Sequence, residues 1–285
     1  MTENLNVRYV PTWCPGCGNF GIFTALKKAF SLLDLDPEQT ALVTGIGCSS
    51  KIAQYINTYR IETLHGRTLP VATGVKLANH RLAVIAEGGD GDGMGLGMGH
   101  FIHTARRNLN ITYIIHNNQI YGLTKGQTSP TSDLGAITKF TPPPRGNVEQ
   151  PINIVQTALQ AGASFVARST AADSQLADIL AQAISHRGFS VVDILQPCVS
   201  FNHINTYQWY QERVYRLNTL PDYNPADFTA ASAVAGQWGD KIPVGLLYRT
   251  DRPTFEDSLP QLATGALVEH SLQDISVAAL MDELA

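Results

Sequence analysis

Two groups of residues in this sequence have the types and spacing to do chemistry. The first is its four cysteines, Cys14, Cys17, Cys48 and Cys198. Cys14 and Cys17 bracket a Cys-Pro-Gly-Cys string, Cys48 lies in the Gly-rich run Thr44–Ser50, and Cys198 follows Pro197 behind a strand-like segment. A disulfide framework belongs to short secreted chains and is not expected here. A thioredoxin-like redox pair needs a buried strand before the string and a helix after it, and only thirteen residues precede Cys14. Structural zinc is normally held by two close knuckles, and the sequence has one. A [4Fe-4S] cluster draws four thiolates from distant segments. Lone cysteines such as Cys48 and Cys198 are also commonly plain buried residues. On the cysteines alone, cluster and zinc both stay open.

The second group lies in two loops. In Gly88–Gly93 (GGDGDG) the glycines let backbone N–H groups approach an anion, and a following helix would add its dipole. Asp90 and Asp92 would repel a bare diphosphate. A divalent cation shared between carboxylate and diphosphate removes that conflict, and Mg²⁺ suits oxygen ligands. Taken alone, the string is also compatible with an ordinary Gly/Asp turn. The second loop is His116–Leu123 (HNNQIYGL), with 26 residues, 92 to 117, between Gly91 and Asn118.

Positioning these loops requires a regular frame. Phe20–Leu33 has apolar residues at helical spacing, and Ala41–Thr44 reads as a short buried strand. Leu69–Ala78 is expected to be a helix opened by Pro70. Leu82–Glu87 as strand, Gly88–Gly93 as tight loop, Leu96–Arg107 as amphipathic helix and Ile111–His116 as strand make a βαβ unit, hence a parallel sheet. The alternation continues with a helix over 151–161, a strand over 163–168, a helix over 174–186 and a strand over 189–195, after a Pro-rich loop at 141–147. Both chemical loops then sit at carboxyl ends of strands, where such sheets bind ligands. The expected fold class is α/β, a doubly wound, mainly parallel sheet. Residues 1–200 are expected to form the binding domain. Residues 201–285, irregular apart from a helix-like run over 271–284, are expected to pack as an extension on that domain or on a partner.

The chain has 285 residues, with 20 Lys+Arg against 24 Asp+Glu and a net charge of −4. Mild acidity and the lack of a basic run argue against nucleic acid, and no apolar stretch reaches the length of a membrane span. The N-terminus has neither the basic nor the apolar region of a secretory signal, so a cytoplasmic protein is expected. Charged residues are 15% of the chain, against about 25% in soluble proteins generally. Part of so sparsely charged a surface is expected to be subunit interface.

Gly-Asp-Gly, about 25 residues, then Asn-Asn resembles the Mg²⁺–diphosphate motif of thiamine-diphosphate enzymes. That resemblance implies Mg²⁺ on Asp90, the Asn118 side chain and the Ile120 carbonyl. It also implies Gly91 and Asp92 along the diphosphate, and Gly122 and Leu123 against the cofactor. With both groups in view the chain closely resembles the β subunit of 2-oxoacid:ferredoxin oxidoreductases. The likeness runs through Trp13–Gly18, Gly45–Lys51, Leu64–Pro70, Gly88–Asp92, Asn117–Gln127, Ser129–Thr131 and Gln196–Cys198. It implies that all four cysteines hold one [4Fe-4S] cluster, that Ile46, Gly47, Cys48, Ser49 and His65 touch thiamine diphosphate, and that Lys51 meets the substrate carboxylate. Arg67 is read as meeting substrate or pinning a loop, and Lys125 as meeting CoA or solvent. His100 and His103, one helical turn apart, are read as a hydrogen-bonded or solvated pair rather than metal ligands.

The implied reaction is oxidative decarboxylation of 2-oxoglutarate, or a related 2-oxoacid such as pyruvate, to acyl-CoA and CO₂, with electrons leaving through the cluster to ferredoxin. One part is missing: the glutamate that activates the cofactor in this family sits on a pyrimidine-binding domain. Glu62 and Glu87 are nearby, but the residue is expected from a larger α subunit. The competing readings are a non-oxidative thiamine-diphosphate lyase with structural zinc, and a non-enzymatic electron-transfer or assembly protein. The intact Asp90/Asn118 pair argues against the last.

Overall fold

The computed structural model describes residues 5–271 and 276–284. The chain opens with helix α1 (Asn19–Leu32), strand β1 (Thr40–Thr44), strand β2 (Tyr59–Glu62) and helix α2 (Thr68–Ala78). Strand β3 (Ala83–Gly89), helix α3 (Met98–Arg107) and strand β4 (Thr112–Asn117) form the expected βαβ unit, with β3 and β4 parallel. A short antiparallel hairpin, β5 (Ile120–Tyr121) and β6 (Gln127–Thr128), leads through a long loop to α4 (Ile154–Gln160). Then come β7 (Phe165–Thr170), α5 (Leu176–Ser185) and β8 (Ser190–Leu195), followed by α6 (Tyr207–Gln211), β9 (Val214–Arg216), α7 (Phe228–Ala235), β10 (Ile242–Arg249) and α8 (Val277–Asp282). Of the expected helix over 271–284, residues 272–275 lie outside the described residues.

One eight-stranded sheet runs β2-β1-β3-β4-β8-β7-β10-β9. From β2 to β7 every pairing is parallel. β1, β4 and β8 are buried along their whole length, as near-continuous apolar strands must be when helices cover both faces. Alternate side chains divide the core. Val43, Ala86, Ile115 and Val191 face α2, α3, α4 and α7, while Leu42, Ile85, Ile114 and Val192 face α1 and α5. No helix among the described residues is long and apolar enough to cross a membrane.

The structure differs from the sequence reading first in its strands and then in the Asp–Gly loop. The stretch after Cys198 adds two strands to the same sheet, with β10 antiparallel to β7 and β9 on its far side. Pro243 and Gly245 inside β10 are residues that argue against a strand, and a register shift between Leu246 and Tyr248 absorbs the irregularity. Edge strand β2 is exposed at every residue, so it lacks the alternation that marks a half-buried strand.

The second difference is the Asp–Gly loop. Gly89 still belongs to β3, and Gly91–Leu96 form a wide helical turn closed by Gly97 N donating to Asp92 O at 3.0 Å, one residue wider than an α-helical bond. Gly91 and Gly93 make room for it: a Cβ on Gly91 would stand 2.2 Å from the ring of Tyr121, and one on Gly93 2.3 Å from the hydroxyl of Tyr113.

Candidate active site

Loops leaving the carboxyl ends of β1, β3, β4 and β8 gather at one edge of the sheet, the edge where parallel sheets bind ligands. Three of them enclose a cleft of about 190 Å³. The β1 loop lines it with Ile46, Gly47, Cys48 and Ser49, and the β3 loop with Asp90, Gly91 and Asp92. The β4 loop contributes Asn118, Ile120, Gly122 and Leu123, and His65 enters from the segment ahead of α2.

Asp90 is 1% exposed and has no basic partner among the described residues. Its carboxylate accepts from the Ser129 hydroxyl, from Thr131 Oγ1 at 2.6 Å and from Asn118 N at 3.3 Å. Burial pushes its carboxyl up, against the pull of those hydrogen bonds. Asn118 is held at both ends, Nδ2 donating to Gln196 Oε1 at 3.1 Å and Oδ1 accepting from Ile120 N at 3.1 Å. Ser49 Oγ is buried without a hydrogen-bond partner on the wall of the same cleft, a group that lacks only a ligand to pair with.

Asp92 is a fastener. Its Oδ1 accepts from Ile46 N (3.1 Å), Gly66 N (2.8 Å) and His65 Nδ1 (2.7 Å), and its Oδ2 from Thr68 Oγ1 (3.1 Å). One buried carboxylate thus fixes the β1 loop and the start of α2 to the β3 loop. It also fixes the imidazole of His65 by one nitrogen.

Beside this cleft lies a second cavity, about 260 Å³, lined by all four cysteines together with Lys51, Lys125 and Gln196. Its rim is built by a turn the sequence dictates. Pro15 and Gly16, the latter at φ +80°, are the central residues preferred in a type II turn, and Cys17 N closes it on Cys14 O at 3.0 Å. Trp13 Nε1 donates to Cys48 O at 2.6 Å and so ties this turn to the β1 loop. Cys14 is exposed while Cys17 and Cys198 are buried. Burial pushes the Cys17 thiol up to about 11, with the Asn19 backbone N–H pulling the other way. Burial also raises the Cys48 thiol, opposed by Lys51. Cys48, Asn118, Gly122 and Leu123 line both cavities. A Cβ on Gly122 would lie 3.5 Å from Cys198 Sγ and 3.8 Å from Cys48 Sγ, so the glycine leaves the space beside these two sulfurs free.

Two candidates stand apart from the cleft. Lys51 lines the cysteine cavity and reaches Thr12 Oγ1 at 3.4 Å. Arg67 lines neither cavity and donates to His100 Nε2 on α3. Glu62 is exposed and accepts from Gln54 at 2.8 Å. Glu87 is buried beneath the loops, 3.2 Å from His116 Nε2, whose other nitrogen lies 2.8 Å from Asn19 Oδ1. Neither glutamate lines the cleft. Sequence reasoning gave no role to Ser129, Thr131 or Tyr121, whose hydroxyl donates to Gly91 O at 3.1 Å. Nothing in the spacing of Ser129 and Thr131 from Asp90 announces a contact made across about forty residues of chain.

Comparison with known proteins agrees with this geometry. The model of the thiamine pyrophosphate enzyme C-terminal TPP binding domain matches residues 45–194, and that of the C terminal of the pyruvate ferredoxin oxidoreductase beta subunit matches residues 198–264. The chain is 45% identical over 277 residues to 2-oxoacid:ferredoxin oxidoreductase 1, subunit beta, of Aeropyrum pernix, covering 93% of this chain and 86% of that one. It is 43% identical over 276 residues to the 2-oxoacid:ferredoxin oxidoreductase subunit beta of Saccharolobus solfataricus, covering 92% and 90%. A solved 2-oxoglutarate:ferredoxin oxidoreductase from Magnetococcus marinus, with 2-oxoglutarate, coenzyme A and succinyl-CoA bound, superposes with a TM-score of 0.90 at 38% identity, over 100% of this chain and 95% of that one. The chain belongs to the β-subunit family of the 2-oxoacid:ferredoxin oxidoreductases.

Proposed function

We propose that this chain is the cofactor-binding subunit of an enzyme that converts 2-oxoglutarate, or a closely related 2-oxoacid, to its acyl-CoA and CO₂, passing the electrons to ferredoxin. The observation that carries the reading is the adjoining pair of cavities. A cleft fitted to a metal-bound diphosphate and a chamber of four thiols share one wall at Cys48, Asn118, Gly122 and Leu123. Decarboxylation needs the first, and single-electron export needs the second.

The residues present fit both groups. Asp90 is a buried carboxylate whose partners are all uncharged, a donor set a divalent cation completes. In this reading the Asn118 side chain and the Ile120 carbonyl supply further oxygen ligands, while Gly91 lets backbone N–H groups approach the diphosphate. Asp92 then acts through the loops it fastens. For the sulfurs, no three His, Cys, Asp or Glu among the described residues close around a single ion, although four cysteines line one chamber. Tetrahedral zinc needs every sulfur about 2.3 Å from one point; a [4Fe-4S] cluster has volume of its own and suits thiols that stand back from the centre.

Bound thiamine diphosphate would supply the carbanion chemistry of 2-oxoacid decarboxylation, and the cluster a one-electron outlet. The chain's own groups hold and orient. His65, fixed by Asp92 through Nδ1, lines the cleft. Ser49 offers its unpaired hydroxyl. Lys51, which lines the cysteine chamber beside the cofactor cleft, supplies the positive charge for a substrate carboxylate, and Lys125 lines the same chamber for CoA. Arg67, turned to His100, is assigned to pinning the segment ahead of α2 rather than to substrate. Residues 1–200 carry every group named, and 201–285 form an extension built onto the same sheet. With Glu62 and Glu87 both committed elsewhere, the activating glutamate comes from the larger α subunit.

The test is the assembled enzyme purified without oxygen. About four iron and four sulfide per β chain with a brown absorbance, and CoA-dependent dye reduction with 2-oxoglutarate exceeding that with pyruvate, are expected. Asp90→Ala should abolish Mg²⁺-dependent thiamine-diphosphate binding. Bound zinc without visible absorbance, or an Asp90→Ala enzyme that binds the cofactor normally, would overturn the proposal.

A further inference from the structure

Gln196 follows β8, is 1% exposed and lines the cysteine chamber next to Asn118, which lines both cavities. Its Nε2 donates to Cys17 Sγ at 3.4 Å and to the Pro197 carbonyl at 2.7 Å. Its Oε1 accepts from Asn118 Nδ2 at 3.1 Å. The orientation of the amide is dictated, since the Pro197 oxygen can face only the NH₂ end. One side chain therefore bonds a thiol of the cysteine chamber with one end and a residue of the cofactor cleft with the other.

A second observation shows that space is kept for it. Gly18 has an ordinary helical φ of −59°, so its backbone does not call for glycine. A Cβ there would stand 2.8 Å from Gln196 Cγ, with Ala171 Cβ at 3.1 Å and Gln196 Nε2 at 3.2 Å. The missing side chain at Gly18 leaves room for the amide of Gln196. Gly18 N also donates to Pro197 O at 3.2 Å, which locks the Cys17 turn against the residue after Gln196.

Resting on the proposed function above, we infer that Gln196 is a positioning residue that couples the cluster to the cofactor's metal. Its N–H bond to Cys17 favours the reduced, more negative cluster, because hydrogen bonds to the sulfurs raise a cluster's potential. Its carbonyl holds the Asn118 NH₂, so the end of that amide open to a cation is Oδ1, which accepts from Ile120 N and keeps a second lone pair; outer contacts of this kind orient metal ligands. A change at either end is transmitted through one rigid amide.

The experiment uses the assembled two-subunit enzyme, comparing wild type with Gln196→Met and Gln196→Glu. Anaerobic potentiometric titration followed by electron paramagnetic resonance reads the cluster, and calorimetry reads Mg²⁺-dependent thiamine-diphosphate binding. In Gln196→Met the potential should fall, and the Mg²⁺ requirement should rise by roughly 10- to 100-fold. In Gln196→Glu the potential should fall while cofactor binding is kept, because a carboxylate oxygen still accepts from Asn118 Nδ2. If Gln196→Met fails to assemble, Gly18→Ala replaces it, and pushing on the Gln196 Cγ should lower the potential in the same direction. A fully iron-loaded variant with wild-type potential, or an unchanged Mg²⁺ requirement in Gln196→Met, overturns the inference. A wild-type enzyme with no iron–sulfur signal refutes the functional reading itself, and the inference falls with it.

Discussion

Replacing Asp92 tests whether one carboxylate holds the cofactor cleft in shape. Alanine would strand four donors. Two of them, Gly66 N and Thr68 Oγ1, are in bonds wholly out of solvent, while those to Ile46 N and His65 Nδ1 are partly reached by water. A buried donor left unpaired costs about 1 to 3 kcal/mol, so Asp92→Ala should lose about 2 to 6 kcal/mol. With about 2.1 cal/mol/K of unfolding entropy per residue over 285 residues, that is a fall in Tm of roughly 3 to 10 °C. Asp92→Asn keeps Oδ1 for three of the donors, and Thr68 can turn its hydroxyl to accept from the new NH₂. The bonds lose their charge assistance, worth about half their strength, so a loss of about 1 to 2 kcal/mol is expected. Thermal unfolding of the assembled enzyme without thiamine diphosphate gives the comparison, since bound cofactor would add its own stabilisation. Cofactor affinity should follow the same order, weakest in the alanine variant. If asparagine and alanine cost the same, the donors do not depend on the acceptor geometry and the fastening argument fails.

Three further outcomes follow from the cysteine chamber. Gly122→Ala should fold normally, because its Cβ meets the two sulfurs only at ordinary contact distances of 3.5 and 3.8 Å, yet should lower iron content; full loading would show that the space beside them is not needed. In the iron-free chain at pH 8, exposed Cys14 should be alkylated first and buried Cys17, its thiol pushed up to about 11, last. Since a raised thiol favours the folded state only while protonated, the iron-free chain should keep that stabilisation below pH 9.0 and lose it as pH rises toward 11. Uniform labelling of the four cysteines, read by mass spectrometry, would contradict the order, and a Tm that does not fall between pH 9.0 and 11 would contradict the pH dependence.

Much of the frame was legible because buried parallel strands declare themselves as apolar runs. β1, β4 and β8 fall within a residue or two of where their patterns put them. The Asp90 and Asn118 loops were legible because a fixed βαβ unit converts sequence spacing into neighbouring loops. Strand β10 escaped because Pro243 and Gly245 mask it, and its place is decided by pairing with β7 rather than by its own propensity. Gln196, Ser129 and Thr131 escaped for another reason. Their roles are side-chain bonds across 39 to 179 residues of chain, and no local pattern encodes the partner.

The cysteine chamber also sets an order of events during synthesis. Cys17 leaves the ribosome 181 residues before Cys198, a wait of roughly 10 to 35 s at about 5 to 20 residues per second. Throughout that interval β8, which carries Gln196 and Cys198 to the site, does not yet exist, and the first three thiols have no fourth to complete their set. In the proposed reading, loading of the chamber is therefore a step that follows the synthesis of β8 and Cys198. Until then the nascent thiols depend on a reducing environment to stay apart from one another and from other chains.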